Sequence, residues 1–306
     1  MNALDVRGLT KAFGERQVLD DLSFSVGEGE VYGLLGPNGS GKTTTINVLC
    51  NLLSADAGSV DVAGVPAGEC AKRLIGFATQ EISIYRDLTC AENLDFFARL
   101  YGLAAPARRR RAAELIEEFR LADYARTQVG ALSGGWQRRI NIAVALVHAP
   151  RLLVLDEPTA ALDIEARHEL WCFIQRLHRA GTAILLTTHH LDEAERLCSR
   201  IGIIHGGKVA AEGTLAQLRA TIPAQQLAIL ETANEAAVAS RAEALGLRMR
   251  RYGGKPTVLL PCATTLPDLV GAFSGVEVSS MALRPVGLEH VYLEATGASR
   301  QPEAPP

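Results

Sequence analysis

The chain has 306 residues, 48% of them apolar and 21% charged, a globular composition long enough for one large domain and a small one. Its net charge of −3 lacks the basic surplus of a nucleic-acid binder, so no nucleic acid is expected as a partner. Six cysteines without a CxxC pair fit neither a zinc site nor a secreted disulfide framework, which points to a reducing compartment.

Residues 1–5 carry an early acid and no apolar stretch, so a signal peptide is not expected. No run approaches the roughly 18 uncharged apolar residues of a membrane helix. A membrane process served by this chain would need another chain to do the spanning.

The first strands are predicted at 4–9, 18–26 and 31–35, the last running into a glycine-rich loop and a helix over 42–53. Short strands follow at 60–62 and 74–78. From about 88 to 150 apolar residues recur at helical spacing (91–100, 108–119, 137–147), which predicts a helical insert. Strands return at 152–155, 183–187 and 201–204, with helices at 164–180 and 191–200 between them. Such alternation implies an α/β fold with a mostly parallel sheet covered on both faces.

A boundary is expected near 218–223. Beyond it, strands at 226–231, 247–252, 257–260 and 276–283 alternate with helices, a small α+β domain over 223–297. Residues 298–306, proline-rich and aperiodic, are expected to be a disordered tail. Leu288, Val291, Tyr292 and Ala295 form one apolar helical stripe. It can pack on its own domain, on the larger domain or on a twin subunit.

Gly36-Pro37-Asn38-Gly39-Ser40-Gly41-Lys42-Thr43 matches G-x-x-x-x-G-K-[ST] between a predicted strand and a predicted helix. Glycines there let backbone N–H groups curl around phosphates, and the helix start adds positive potential. Lys42 would reach the β- and γ-phosphates of ATP, Thr43 would hold Mg²⁺, and Thr44 extends the cradle. The strand 152–155 ends in Asp156-Glu157, one carboxylate suited to Mg²⁺ and the next to polarising an attacking water. Leu132-Ser133-Gly134-Gly135-Trp136-Gln137 opens a helix that Ser133 can cap. A second anion-binding helix start needs a second phosphate, which a dimer would supply.

In order and spacing, these motifs with Ala161-Leu162-Asp163 and Thr187-Thr188-His189 resemble the ABC ATPase family over residues 1–222. Gln80 matches that family's Q-loop, and Phe13, in Lys11-Ala12-Phe13-Gly14, its adenine-stacking aromatic. The resemblance implies a P-loop NTPase core with an antiparallel β subdomain and a helical subdomain. It implies a head-to-tail homodimer, with ATP between residues 36–44 of one copy and Ser133, Gly134 and Gly135 of the other. It also implies Glu157 as general base, His189 as γ-phosphate contact, Gln80 as sensor of Mg²⁺ and of the membrane partner, Asp156 as Mg²⁺ ligand and Asp163 at the dimer seam. The alternatives are that Phe13 is plain core, His189 a satisfied strand-end histidine and Gln80 a surface residue.

Two positions depart from the family's pattern. Trp136 stands where glutamine is usual, and Ala160-Ala161 replaces a common serine before Leu162-Asp163. The four-arginine run 108–111 is expected to be a solvated face, and the scattered histidines show no metal spacing. The closing segment 288–297 resembles that of ATPases exporting antibiotics and nodulation factors. The chain is therefore expected to be a cytoplasmic ATPase, peripheral on the inner face of the cell membrane. It would energise export through a separate membrane-spanning permease. The rivals are a soluble ABC ATPase of translation or repair and a non-hydrolysing regulatory ATP-binding module.

Overall fold

A computed structural model of the chain describes residues 2–297. The expected tail, 298–306, lies outside the described residues. Two compact units divide between Val209 and Ala210, ahead of the boundary expected from the sequence.

The first unit opens with two long antiparallel strands, β1 (Asn2–Phe13) and β2 (Arg16–Gly27). β3 (Val31–Leu35), α1 (Lys42–Leu49), β4 (Ala57–Val62), β5 (Val65–Pro66), α2 (Glu69–Lys72) and β6 (Ile75–Ala78) follow. The strands sort into two sheets, an antiparallel one ordered β2-β1-β4-β5 and a six-stranded one. The helical insert holds α3 (Cys90–Leu100), α4 (Ala105–Glu118) and α5 (Gly134–Ala145). Then come β7 (Leu152–Asp156), α6 (Ile164–Arg179), β8 (Ala183–Thr188), α7 (Leu191–Leu197), β9 (Arg200–His205) and, running across the division, β10 (Lys208–Gly213). The six-stranded sheet runs β10-β9-β3-β8-β7-β6. Its pairs β3–β8, β3–β9, β6–β7 and β7–β8 are parallel.

Every residue of β3, β7 and β8 is buried, which is why these strands read as unbroken apolar runs. Their side chains alternate between the two faces. Leu153, Leu155, Ile184 and Leu186 join the core of the helical insert. Leu152, Val154 and Leu185 join a second core with β1, β2 and α1. This layering fixes the C-terminal ends of β3, β7 and β8 side by side, where the site forms.

The arginine run is only half solvated. Arg109 and Arg110 are exposed, but Arg108 pairs with Asp95 at 2.9 Å and Arg111 donates to the Leu146 carbonyl at 3.0 Å. Long arginine side chains can bury part of their stems while the guanidinium reaches a polar partner, which accounts for the partial burial of these two.

His148, at the end of the insert, stacks on Tyr101 with 3.7 Å between ring centroids, and its Nε2 donates to the Ile75 carbonyl at 3.0 Å. Nδ1 is buried with no partner among the described residues. Burial pushes the pKa down to about 4, with the Ile75 bond opposing and the Arg111 charge adding. The unfolded chain therefore takes up this proton first. The stability contributed by neutral His148 is complete above about pH 6.5 and is lost as pH falls toward about 4. Denaturation between pH 7.5 and 5 should show a loss of about 1–2 kcal/mol, allowing for partial exposure, that His148→Gln removes. Parallel curves for the two proteins would contradict this.

The second unit contains α8 (Leu215–Ala220), β11 (Gln226–Glu231), α9 (Glu235–Ala244), β12 (Arg248–Tyr252), β13 (Lys255–Leu260), α10 (Leu266–Ala272), β14 (Ser280–Pro285) and α11 (Leu288–Ala295). Its sheet, β12-β13-β11-β14, is antiparallel. One core packs Ala228, Leu230 and Val258 against Val238, Ala242, Leu269 and Phe273. The stripe on α11 buries Leu288 and Val291 fully, with Tyr292 and Ala295 half-buried, and the helix packs against α8. α8 lies in the same compact unit as α11 but ahead of the boundary expected from the sequence.

Candidate active site

The glycine-rich loop leaves β3 at Gly36, whose N–H donates to the Thr188 carbonyl at 3.2 Å and so ties the loop to the end of β8. A Cβ at Gly36 would lie 2.5 Å from Ile204 Cγ2 and 2.7 Å from Ser40 Oγ. Gly41 turns the chain into α1 at φ 108°, where a Cβ would meet Leu19 at 2.6 Å. Only glycine fits either position. The Ser40 hydroxyl is buried with no partner among the described residues. A tight cradle of backbone N–H groups holding a buried, unpaired hydroxyl fits a phosphate chain.

Lys42 is 4% exposed. Its ammonium donates to the carbonyls of Gly36 at 2.8 Å and Pro37 at 3.2 Å, and lies 3.4 Å from Glu157 Oε1. Thr43 Oγ1 is 3.5 Å from Asp156 Oδ2, and Thr187 Oγ1 donates to Asp156 Oδ1 at 2.5 Å. Burial raises the Asp156 pKa, the Thr187 bond opposes, and the neighbouring Glu157 charge raises it further. A carboxylate whose ionised form is penalised in this way gains most from a nearby cation, so Thr43 and Asp156 fit Mg²⁺.

Glu157 holds a left-handed backbone at φ 45°, costly for a non-glycine residue by about 1–2 kcal/mol. Its N–H donates to the Thr187 carbonyl at 3.1 Å and contacts Thr187 Oγ1 at 3.2 Å, which offsets that cost and aims the side chain off the strand end. Oε1 sits 3.1 Å from His189 Nδ1. Lys42, Asp156, Glu157 and His189 thus meet in one cluster.

Beside it is a cleft of about 420 Å³. The loop and α1 contribute Asn38, Gly39, Gly41, Lys42, Thr43 and Thr44; Arg16, Val18, Gln80 and Glu157 come from elsewhere. Phe13 is 51% exposed, which removes the reading of it as core, and Lys11 lies over its ring at 5.7 Å. Sequence reasoning missed Arg16 and Val18. The available signal was the Gly14 turn, which pairs Phe13 with Arg16 across β1 and β2.

Ser133, Gly134, Gly135 and Asp163 do not line this cleft. Ser133 is exposed at the N-cap of α5, but its hydroxyl makes no capping bond, contrary to the sequence expectation. The helix start is therefore not satisfied by its own cap. Trp136 packs tilted on Tyr124 at 4.4 Å with the Arg139 guanidinium over its ring at 4.4 Å, so the indole is held on the helix. Asp163 is exposed and caps α6 through Ala166 N–H at 2.8 Å.

The family model described as ABC transporter matches residues 19–160. A daunorubicin resistance ATP-binding protein of Streptomyces coeruleorubidus is 37% identical over 98% of this chain and 97% of its own length. A Nod factor export ATP-binding protein I of Ralstonia nicotianae is 38% identical over 96% and 94%. Among solved structures, an ATP-binding subunit of an ABC transporter superposes with a TM-score of 0.64 at 33% identity, over 72% of this chain and 92% of its own. An ATP-binding cassette solved as a dimer with ADP and Pi gives 0.61 at 27% identity, over 69% and 98%.

Proposed function

Because the chain belongs to the ABC transporter family and is one of its ATPases, we propose that it energises export of a small molecule through a separate permease, as a homodimer with ATP between the two copies. The observation that carries this reading is the cluster of Lys42, Asp156, Glu157 and His189 at the phosphate cradle, with the uncapped helix start at Ser133 left outside the cleft. One chain supplies one side of a nucleotide site; its twin supplies the other.

In this reading Lys42 and the N–H groups of residues 36–44 hold the phosphates, and the half-exposed Phe13 stacks on the adenine. Thr43, Asp156 and Gln80 hold Mg²⁺, which when bound neutralises phosphate charge. Glu157 accepts the proton of the attacking water, its carboxylate steadied by Lys42 and His189 at 3.4 and 3.1 Å. His189 also reaches the γ-phosphate. Ser133, Gly134 and Gly135 close on the phosphates from the twin, with Asp163 at the seam.

The printed names of the daunorubicin and Nod factor relatives support export. None of the helices among the described residues is long and apolar enough to cross a membrane; in this reading a separate permease carries the pathway and the chain sits on the inner face of the membrane. Residues 223–297 are read as an accessory domain without nucleotide contacts.

The ATPase rate should rise faster than linearly with protein concentration. Lys42→Ala and Ser133→Arg chains, each inactive alone, should recover part of the activity on mixing, because the mixed dimer keeps one intact site. A strictly proportional rate with no recovery would exclude the shared site. Membranes of the native cell should yield a multispan protein bound to the chain; retrieving none would count against the permease.

A further inference from the structure

Arg138 is 4% exposed, and although the Asp156 charge acts on it, no carboxylate lies within ion-pair distance of it among the described residues. Its Nη1 donates to the Thr79 carbonyl at 2.6 Å and its Nη2 to the Gln80 carbonyl at 2.5 Å. Asn141, one turn further along α5, adds a 3.4 Å bond to the same Thr79 carbonyl, and Arg138 Nε has no partner. Burying a guanidinium with no carboxylate in direct contact is costly, and the Asp156 charge at longer range offsets only part of that cost. A charge held on two consecutive carbonyls of one loop is better suited to fixing that loop in place.

The loop and the helix belong to different halves of the chemistry. Gln80 lines the cleft with Lys42 and Glu157. Arg138 stands five residues after Ser133, about 7–8 Å along α5 from the helix start assigned to the twin's nucleotide. We propose that Arg138 is a positioning residue that clasps the backbone of Gln80 to α5, so that Gln80 of one site and the helix start offered to the other site move as one body. This rests on the two-copy reading given above.

The test uses the full chain with Arg138→Met, which removes both bonds, and Arg138→Lys, which keeps the charge but puts its donors on one nitrogen in place of the guanidinium fork. Hydrogen exchange in Arg138→Met should speed up about tenfold or more over residues 79–83 and change little in β3 and β7. ATP turnover should fall about tenfold with KM for ATP within about twofold. The Mg²⁺ concentration at half-maximal rate should rise, and the Hill coefficient for ATP, expected above 1 in the wild type on the two-copy reading, should fall toward 1. Arg138→Lys should recover part of each change; if the methionine variant does not fold, the lysine variant should show the same changes in smaller measure. A merely structural arginine would lower the melting temperature but leave the Hill coefficient, the Mg²⁺ requirement and the local exchange as in wild type, and that result overturns the proposal. If that result came from a wild-type chain that dimerises on ATP, only this inference would fail. A wild-type chain that stays monomeric with ATP would overturn the two-copy reading as well.

Discussion

A Glu157→Gln chain should bind ATP with near-normal affinity and hydrolyse it about 10²- to 10⁴-fold more slowly than the wild type. The amide keeps the size of the side chain and can still contact Lys42 and His189, now 3.4 and 3.1 Å from Oε1, but it cannot accept a proton from water. The backbone at φ 45° is held by Thr187 rather than by the side chain, so the strand end should stay in place. Single-turnover hydrolysis beside equilibrium binding of a fluorescent ATP analogue separates the two effects. Turnover near wild type would remove Glu157 as the base, and lost binding would show that it serves the ground state instead.

Lys42→Ala should lose both functions. Lys42 is the buried cation on the phosphate cradle, and charge-assisted bonds to phosphate form on binding and persist through reaction. Removing such bonds costs about 1.5–3 kcal/mol, roughly a 10- to 100-fold loss of ATP affinity, with turnover falling further. The substitution also leaves Glu157 without the cation at 3.4 Å. A melting curve therefore accompanies the binding measurement, to show that the folded protein was assayed. Unchanged affinity would mean that residues 36–43 are not the nucleotide cradle.

The parts of this site readable from sequence are those whose chemistry is written in neighbouring residues. A phosphate cradle needs glycines at fixed offsets before Lys42, and Gly36 and Gly41 are where a Cβ would collide. The acids Asp156 and Glu157 stand out because β7 is buried on both faces and reads as an apolar run up to its polar end. Thr187 as anchor of both acids and Arg138 on Gln80 are contacts made across long stretches of chain. No local pattern announces them. Ser133 misled for the opposite reason, since N-cap chemistry is local and its residue type is right, yet the hydroxyl makes no capping bond. Composition does not reveal which face of α4 meets Asp95 and Leu146, so the sequence alone leaves Arg108 and Arg111 looking solvated. The packing of α8 on α11 joins elements about seventy residues apart, which no local pattern shows.

The central claim is that one ATP is shared by two copies of this chain, and the most direct measurement is the mass of Glu157→Gln by light scattering with ATP and Mg²⁺. Slow hydrolysis should trap the closed pair, giving twice the 32.7 kDa chain mass, and adding Ser133→Arg to the same chain should return it to the monomer. A Glu157→Gln chain that binds ATP yet remains at 32.7 kDa at micromolar concentration would contradict the account.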